Sequence, residues 1–241
     1  MIDRWSLWNR VHLSRLALMV VMLFSFSAQA QISCPSDFSG MGRGFFYAPT
    51  TNNQCRLGLG DGFSVAMNNP QWGGGVHCGE CLELTGPLGS TIVRVIDLCP
   101  ECVEGELNIS VQAFAAIADP MPGFANISWE RVDCPVSGAI NYEFNAGSSP
   151  FFFQVKADNH RYGITDMEVL IDGEFEPLAR INSSFFQYPG SDPVNSVTLR
   201  LRATTNQWIE AVLGSPSQSG PIAGQSQFSS CIDPVYEDRF E

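Results

Sequence analysis

The chain has 241 residues, 44% of them hydrophobic, with 25 acidic against 13 basic side chains and a formal net charge of −12. That length suits one large domain or two of about 100 residues, either able to bury a core. The acidic balance excludes nucleic acid and anionic lipid as partners, since both need basic patches, and leaves an uncharged polymer compatible with the surface.

Residues 1–30 read as an export signal. Arg4, Arg10 and Arg15 precede an apolar run from Leu16 to Phe26 that is too short to span a bilayer as a helix, and Ala28-Gln29-Ala30 offers a small-residue cleavage site. The expected mature chain starts at Gln31. Losing three Arg and one Asp leaves it 211 residues with 10 basic and 24 acidic side chains, a net charge of −14. The protein is therefore expected to be secreted, with no membrane attachment after cleavage.

All eight cysteines, at 34, 55, 78, 81, 99, 102, 134 and 231, lie in the exported part. Cys78-x2-Cys81 and Cys99-x2-Cys102, separated by seventeen residues, have the spacing of a zinc ribbon. An even count in an oxidising compartment favours disulfides over metal. No metal and no cofactor is expected.

Along the chain, strand signals dominate. Thr91 to Ile96 is a β-branched run that ends at Asp97. One helix is expected, with Ser110 as N-cap, Val111, Phe114, Ala115 and Ile117 at helical spacing, and Asp119-Pro120 as the stop. A boundary falls near Ser137-Gly138. Residues 138–229 contain no cysteine and show period-2 runs: Phe151-Phe153-Val155 against Phe152-Gln154-Lys156, then Met167-Val169-Ile171 and Val197-Leu199-Leu201. Gly and Pro pairs such as Asp172-Gly173 and Pro189-Gly190 punctuate them, as in a β-sandwich. Trp129 and Trp208, flanked by strand residues, are assigned to cores. Residues 230–241 form an acidic tail.

Several motifs together resemble microbial expansins. They are Gly42-Arg43-Gly44-Phe45-Phe46-Tyr47, Asn69-Pro70-Gln71-Trp72-Gly73-Gly74, Cys78-Gly79-Glu80-Cys81, Val95-Ile96-Asp97-Leu98-Cys99-Pro100-Glu101 and Glu106-Leu107-Asn108-Ile109-Ser110. Gly147 to Phe152 and Asn159-His160-Arg161-Tyr162 extend the likeness into the second half. The resemblance implies an all-β protein, with a double-psi β-barrel over 31–137 followed by an immunoglobulin-like β-sandwich over 138–229 that binds cellulose. It also implies wall loosening without hydrolysis by a monomer. Related plant proteins suggest the pairs Cys55–Cys78 and Cys81–Cys134; proximity in the chain then suggests Cys99–Cys102, with Cys34–Cys231 as the remaining pair.

Asp97 is the expected cleft carboxylate. A glycosidase needs two carboxyl groups, and Asp97 closes an apolar strand where burial would suit it to be the acid. Endoglucanases sharing this barrel carry the second carboxylate on the first strand, but Gly44 to Thr50 has none. The second cleft Asp of the family is Asn108 here, which hydrogen-bonds a sugar but cannot act as a general acid. Glu104 and Glu106 lie close enough in sequence to substitute. The first-strand Thr of the family is matched by Phe45, and the aromatic after Asp97-Leu98 by Cys99.

Sugars present flat C–H faces that stack on rings. The expected platform is Phe151 and Phe152. The family's third aromatic aligns with Ser183, so Phe185 or Phe186 is the candidate there, and Trp72 and Tyr47 are candidates for the first-domain cleft. The partner is expected to be cellulose or a related β-glucan, with peptidoglycan next. Two other functions fit the residues. One is a lytic enzyme on peptidoglycan or β-glucan with Asp97 as its sole acid/base; the other is a binding module that has lost loosening activity.

Overall fold

The computed structural model describes residues 38–231 apart from Asn182, Pro189 and Ser191. The expected signal segment, Cys34 and residues 232–241 of the expected tail lie outside the described residues. The described chain clusters as one compact unit.

Six strands close a barrel: β1 (Ser39–Tyr47), β2 (Ser64–Asn68), β3 (Cys81–Gly86), β4 (Gly89–Cys99), β5 (Leu107–Ser110) and β6 (Phe124–Val132). Their order around it is β1-β5-β2-β4-β3-β6. β1 runs parallel to β5 and β2 parallel to β4, and the remaining pairs are antiparallel. Alternation sends Val93 and Val95 of β4 and Ala125, Ile127 and Trp129 of β6 into the core. β1 turns three glycines inward. A Cβ at Gly40 would sit 2.5 Å from the Trp129 ring, at Gly42 2.7 Å from the Gly105 backbone, and at Gly44 2.7 Å from Ile109. The barrel is full at these points, so β1 carries its large side chains, Arg43, Phe45 and Tyr47, on the outside.

Helix α1 (Val111–Ile117) forms as expected, but it is rolled about its axis. Ala113, Phe114 and Ile117 are buried, while Val111 and Ala115 face out. Ser110 does not cap it by side chain. Its hydroxyl accepts instead from the Ser64 amide at 3.1 Å, tying β5 to β2.

The second half is a sandwich. One sheet holds β9 (Ile164–Ile171), β10 (Glu174–Pro177), β13 (Val197–Ala203) and β14 (Trp208–Gly214), ordered β10-β9-β13-β14. The other holds β7 (Asn141–Phe144), β8 (Gln154–Asp158), β11 (Ala179–Arg180), β12 (Phe185–Gln187) and β15 (Pro221–Ala223), ordered β11-β12-β8-β7-β15. Val155, Met167, Val169, Leu199 and Leu201 point into the shared core, as their period-2 runs require. Trp129 is buried, as expected. Trp208 is not: it stands on the outer face of β14, 43% exposed, with the Arg200 guanidinium 4.6 Å from its ring. Ile209, Ala211 and Leu213 take the inward positions of that strand. Flanking strand residues set the period but not the phase.

Cys55 bonds to Cys78, Cys81 to Cys134 and Cys99 to Cys102. The first two pairs are those the resemblance implied and the third is the one proximity suggested, and sulfurs so engaged cannot ligate zinc. Cys231 is also disulfide-bonded; its expected partner, Cys34, lies outside the described residues.

Barrel and sandwich meet across charged groups. Glu80, fully buried, lies 2.5 Å from His77 Nδ1 and accepts from Thr204 of the sandwich at 2.8 Å. Burial alone would raise its carboxyl, but the hydrogen bond and charge of His77, with Arg131 and the Thr204 hydroxyl, hold it below its ordinary 4.5. Arg94 of β4 pairs with Asp158 of β8 at 2.7 Å. His160 is buried beside them with Nδ1 2.6 Å from the Tyr162 carbonyl. A Cβ on Gly79 would come within 2.4 Å of its ring. Burial, then the Arg94 guanidinium, push its imidazole down to about 4 against the pull of Asp158 and Glu80.

Candidate functional site

The outer face of β1, β5, β2 and β4 forms the site. Pairing between β2 and β4 steps from Val65 opposite Val95 to Ala66 opposite Asp97, so Ile96 is an extra, bulged residue. Without the bulge, alternation would turn Asp97 into the barrel core. With it, Val95 and Ile96 are both buried and Asp97 emerges on the outside. Asp97 Oδ1 accepts from the amides of Gln54 at 2.8 Å and Leu98 at 3.0 Å. The Ile96 carbonyl accepts from the Cys55 amide at 3.0 Å, so the 54–55 segment is clamped on the bulge.

Register then sets a row across four strands: Phe45 on β1, Asn108 on β5, Ala66 on β2 and Asp97 on β4. At about 4.8 Å per strand, Asn108 and Asp97 stand about 10 Å apart along the sheet. Tyr47 lies one outward position beyond Phe45, its ring packed on Ala66 and the Cys99–Cys102 disulfide. Burial, and then the charge of Asp97, push the Tyr47 phenol well above its ordinary 10.0. The Ser64 hydroxyl lies close enough to oppose that shift, although outside hydrogen-bonding geometry. Tyr47 is therefore a neutral donor at every physiological pH.

Four buried side-chain polar atoms among the described residues have no hydrogen-bond partner, and three belong to this face: Tyr47 Oη, Ser64 Oγ and Asn108 Oδ1. Buried polar atoms are normally paired, and each exception calls for an explanation. All three lie at or just beneath the face that carries Asp97. Neither Phe45 nor Tyr47, the large outward residues β1 places along this face, is a carboxylate. Glu106 does not supply one either: it is buried, bonded to Arg43 Nε at 2.8 Å, and accepts from the Val103 amide. Glu104 is exposed in the turn before it. Trp72 is also a correction. Its ring is 3% exposed and fills the barrel core, so it presents no face to a ligand.

Phe151 and Phe152 are 60% and 45% exposed. Strand alternation would have put one of them inside. The chain instead makes a tight turn, in which Ser149 and Phe152 exchange backbone hydrogen bonds at 2.7 and 3.2 Å, and β8 begins only at Gln154. Phe153 goes into the core against Phe144 and Tyr188. Phe185 and Phe186, the expected third aromatic, are both buried. Lys156 lies over the Phe185 ring at 5.5 Å, and the Ser184 hydroxyl is bonded to the Cys55 carbonyl, so β12 is pressed against the barrel.

These contacts also join the two halves of the site. Gln54 touches Asp97, the Cys55 carbonyl receives Ser184, and the Arg56 carbonyl receives Lys156 Nζ at 2.9 Å. Beyond Lys156 the outer face continues through hydrogen-bonded Asn145, Gln154 and Gln187 toward Phe152. The strut through residues 54–56, and the part played by Ser64, carried no sequence signal. They depend on pairings between residues far apart in the chain.

No family model matches the chain. It is 34% identical over 126 residues to Expansin-YoaJ of Bacillus subtilis, covering 52% of this chain and 53% of that one. Its fold matches the apo Clavibacter michiganensis expansin with a TM-score of 0.74 and 25% identity, over 79% of this chain and 98% of that one. The chain is similar to expansins in sequence and in fold. A mutant of the same Clavibacter protein, crystallised in complex with cellohexaose, matches it with a TM-score of 0.72 at 24% identity, over 79% of this chain and 98% of that one, a likeness of fold. The chain spans about half the length of the curated relatives it matches first. No helix among its described residues is long and apolar enough to cross a membrane.

Proposed function

We propose that this is a secreted, non-hydrolytic protein that binds β-glucan, cellulose first, and loosens cell walls by separating chains. Asp97, Asn108 and Tyr47 hydrogen-bond one glucan in the barrel groove, while Phe151 and Phe152 stack on the polymer surface. The observation that carries this reading is the outer face itself: Asn108 and Asp97 share one strand row, and Asp97 is the sole carboxylate on β1, β5, β2 and β4. A wall of donors, acceptors and one anion suits hydroxyl recognition, whereas two-carboxylate hydrolysis needs a partner this face lacks. The cellohexaose bound to the mutant Clavibacter protein makes β-glucan the first ligand to try. The working units are the barrel at 31–137 and the sandwich at 138–229.

A pull-down on crystalline cellulose, with xylan and peptidoglycan alongside and product analysis of the same samples, tests the reading. Retention on cellulose that falls in Phe151→Ala/Phe152→Ala, with wall creep and no sugar release, is the expected outcome. Reducing ends or anhydro-sugars made by the parent and lost in Asp97→Asn would replace it with the lytic reading.

A further inference from the structure

The groove does not end at Asn108. On β1 the residue beside Asn108 is Phe45, and across the next strand pair Phe45 faces Phe124 of β6. Both rings stand on the outer face, 6.4 Å between centroids and tilted by 45°, and Phe124 is 44% exposed. The Arg43 guanidinium packs 5.2 Å from the Phe45 centroid and 6.0 Å from that of Phe124. Its Nε and Nη2 are held by the buried carboxylate of Glu106 at 2.8 and 2.7 Å. Its Nη1 makes no hydrogen bond among the described residues, and the side chain is 53% exposed.

The chemistry of this corner is specific. Glu106 neutralises Arg43, so the site has no net attraction for an anion, yet a fixed N–H donor remains at the rim of two rings. Aromatic faces next to a fixed donor suit a neutral ligand with flat C–H faces and hydroxyl edges. The corner is also continuous with the groove. Phe124, Phe45 and Asn108 are successive cross-strand neighbours on β6, β1 and β5, about 10 Å from end to end at about 4.8 Å per strand. Four pairs further along β1 and β6, Met41 and Ser128 border a cavity of about 420 Å³.

We infer that Phe45 and Phe124, with Arg43 at their rim, form a sugar-stacking subsite that extends the barrel groove across β1 to β6. A glucan chain then lies across β6, β1 and β5, hydrogen-bonded at Asn108 and stacked at its other end on the phenyl pair. The inference rests on the β-glucan reading above.

Calorimetric titration with cellohexaose tests it, on the full chain carrying Phe151→Ala/Phe152→Ala so that only the barrel groove is read. Phe124→Ala and Phe45→Thr, each checked for an unchanged melting temperature, are expected to weaken binding about 3- to 10-fold, the range for one aromatic contact. Phe124→Tyr, which keeps the ring, is expected to bind as the parent does. If the parent binds and both ring-deleting variants bind equally well, the subsite is refuted and the β-glucan reading stands. If neither the groove-only parent nor the full protein binds any β-glucan, both fall.

Discussion

His160 gives the barrel–sandwich junction a predicted acid sensitivity. Unfolded, its imidazole takes up a proton near 6.5; in the fold it does so only near 4, because it is buried and faces Arg94. Between these values the unfolded chain binds one more proton than the native one, so stability falls as pH drops from 6.5 to about 4 and levels off below. At about 1.4 kcal/mol per tenfold change in proton affinity, the loss reaches about 2 kcal/mol by pH 5 and about 3 kcal/mol by pH 4. The other ionisable groups facing His160 act in a lower window. Glu80 and Asp158 are held below their ordinary 4.5 and 3.8, so their stabilisation is lost only as pH falls through that acid range. Urea unfolding of the parent and of His160→Asn at 25 °C, from pH 7.5 to 5, isolates the residue. The amide of Asn reaches the Tyr162 carbonyl as Nδ1 does but does not titrate. The variant is expected to start less stable and to lose almost nothing further with acid, while the parent loses about 2 kcal/mol. Parallel curves for the two proteins would refute the argument.

Three further outcomes are expected. Breaking Cys81–Cys134, whose cysteines lie 53 residues apart, costs about 4 kcal/mol in the chain-entropy account, against about 2 kcal/mol for Cys99–Cys102 at a separation of three; denaturant unfolding of the Cys→Ser pairs gives the order. Trp129→Ala empties part of the barrel core and costs about 3–5 kcal/mol, whereas Trp208→Ala removes an exposed ring over Arg200 and costs about 1 kcal/mol or less, and thermal melts separate the two. Gly42→Ala drives a methyl into the Gly105 backbone, 2.7 Å away, and is expected to cost about 1–3 kcal/mol; an unchanged melt would mean that β1 shifts freely.

The motifs around Cys78, Asp97 and Asn108 are local strings, so the lack of a first-strand carboxylate was legible in them, as were the Cys55–Cys78 and Cys81–Cys134 pairs through resemblance and Cys99–Cys102 through proximity. The exposed pair Phe151–Phe152 was legible for the same reason, although the turn that exposes both was not. Trp72 and Phe185 were misplaced because exposure depends on what packs above a residue: the barrel core around Trp72, Lys156 over Phe185. Trp208 failed on phase, since alternation gives a period of two without saying which member faces in.

What the sequence by itself determined is the chemistry available: an acidic, cysteine-paired, strand-rich chain with one carboxylate and an Asn where a second carboxylate is expected. What only tertiary structure decided is where that chemistry points. One bulged residue at Ile96 carries Asp97 from the core side to the outside, and three inward glycines on β1 send Arg43, Phe45 and Tyr47 out beside it. Both effects arise from pairing between strands far apart in the chain. The Gly40-x-Gly42-x-Gly44 alternation is visible in the sequence, but which face it turns inward, like the bulge at Ile96, is settled only by that pairing.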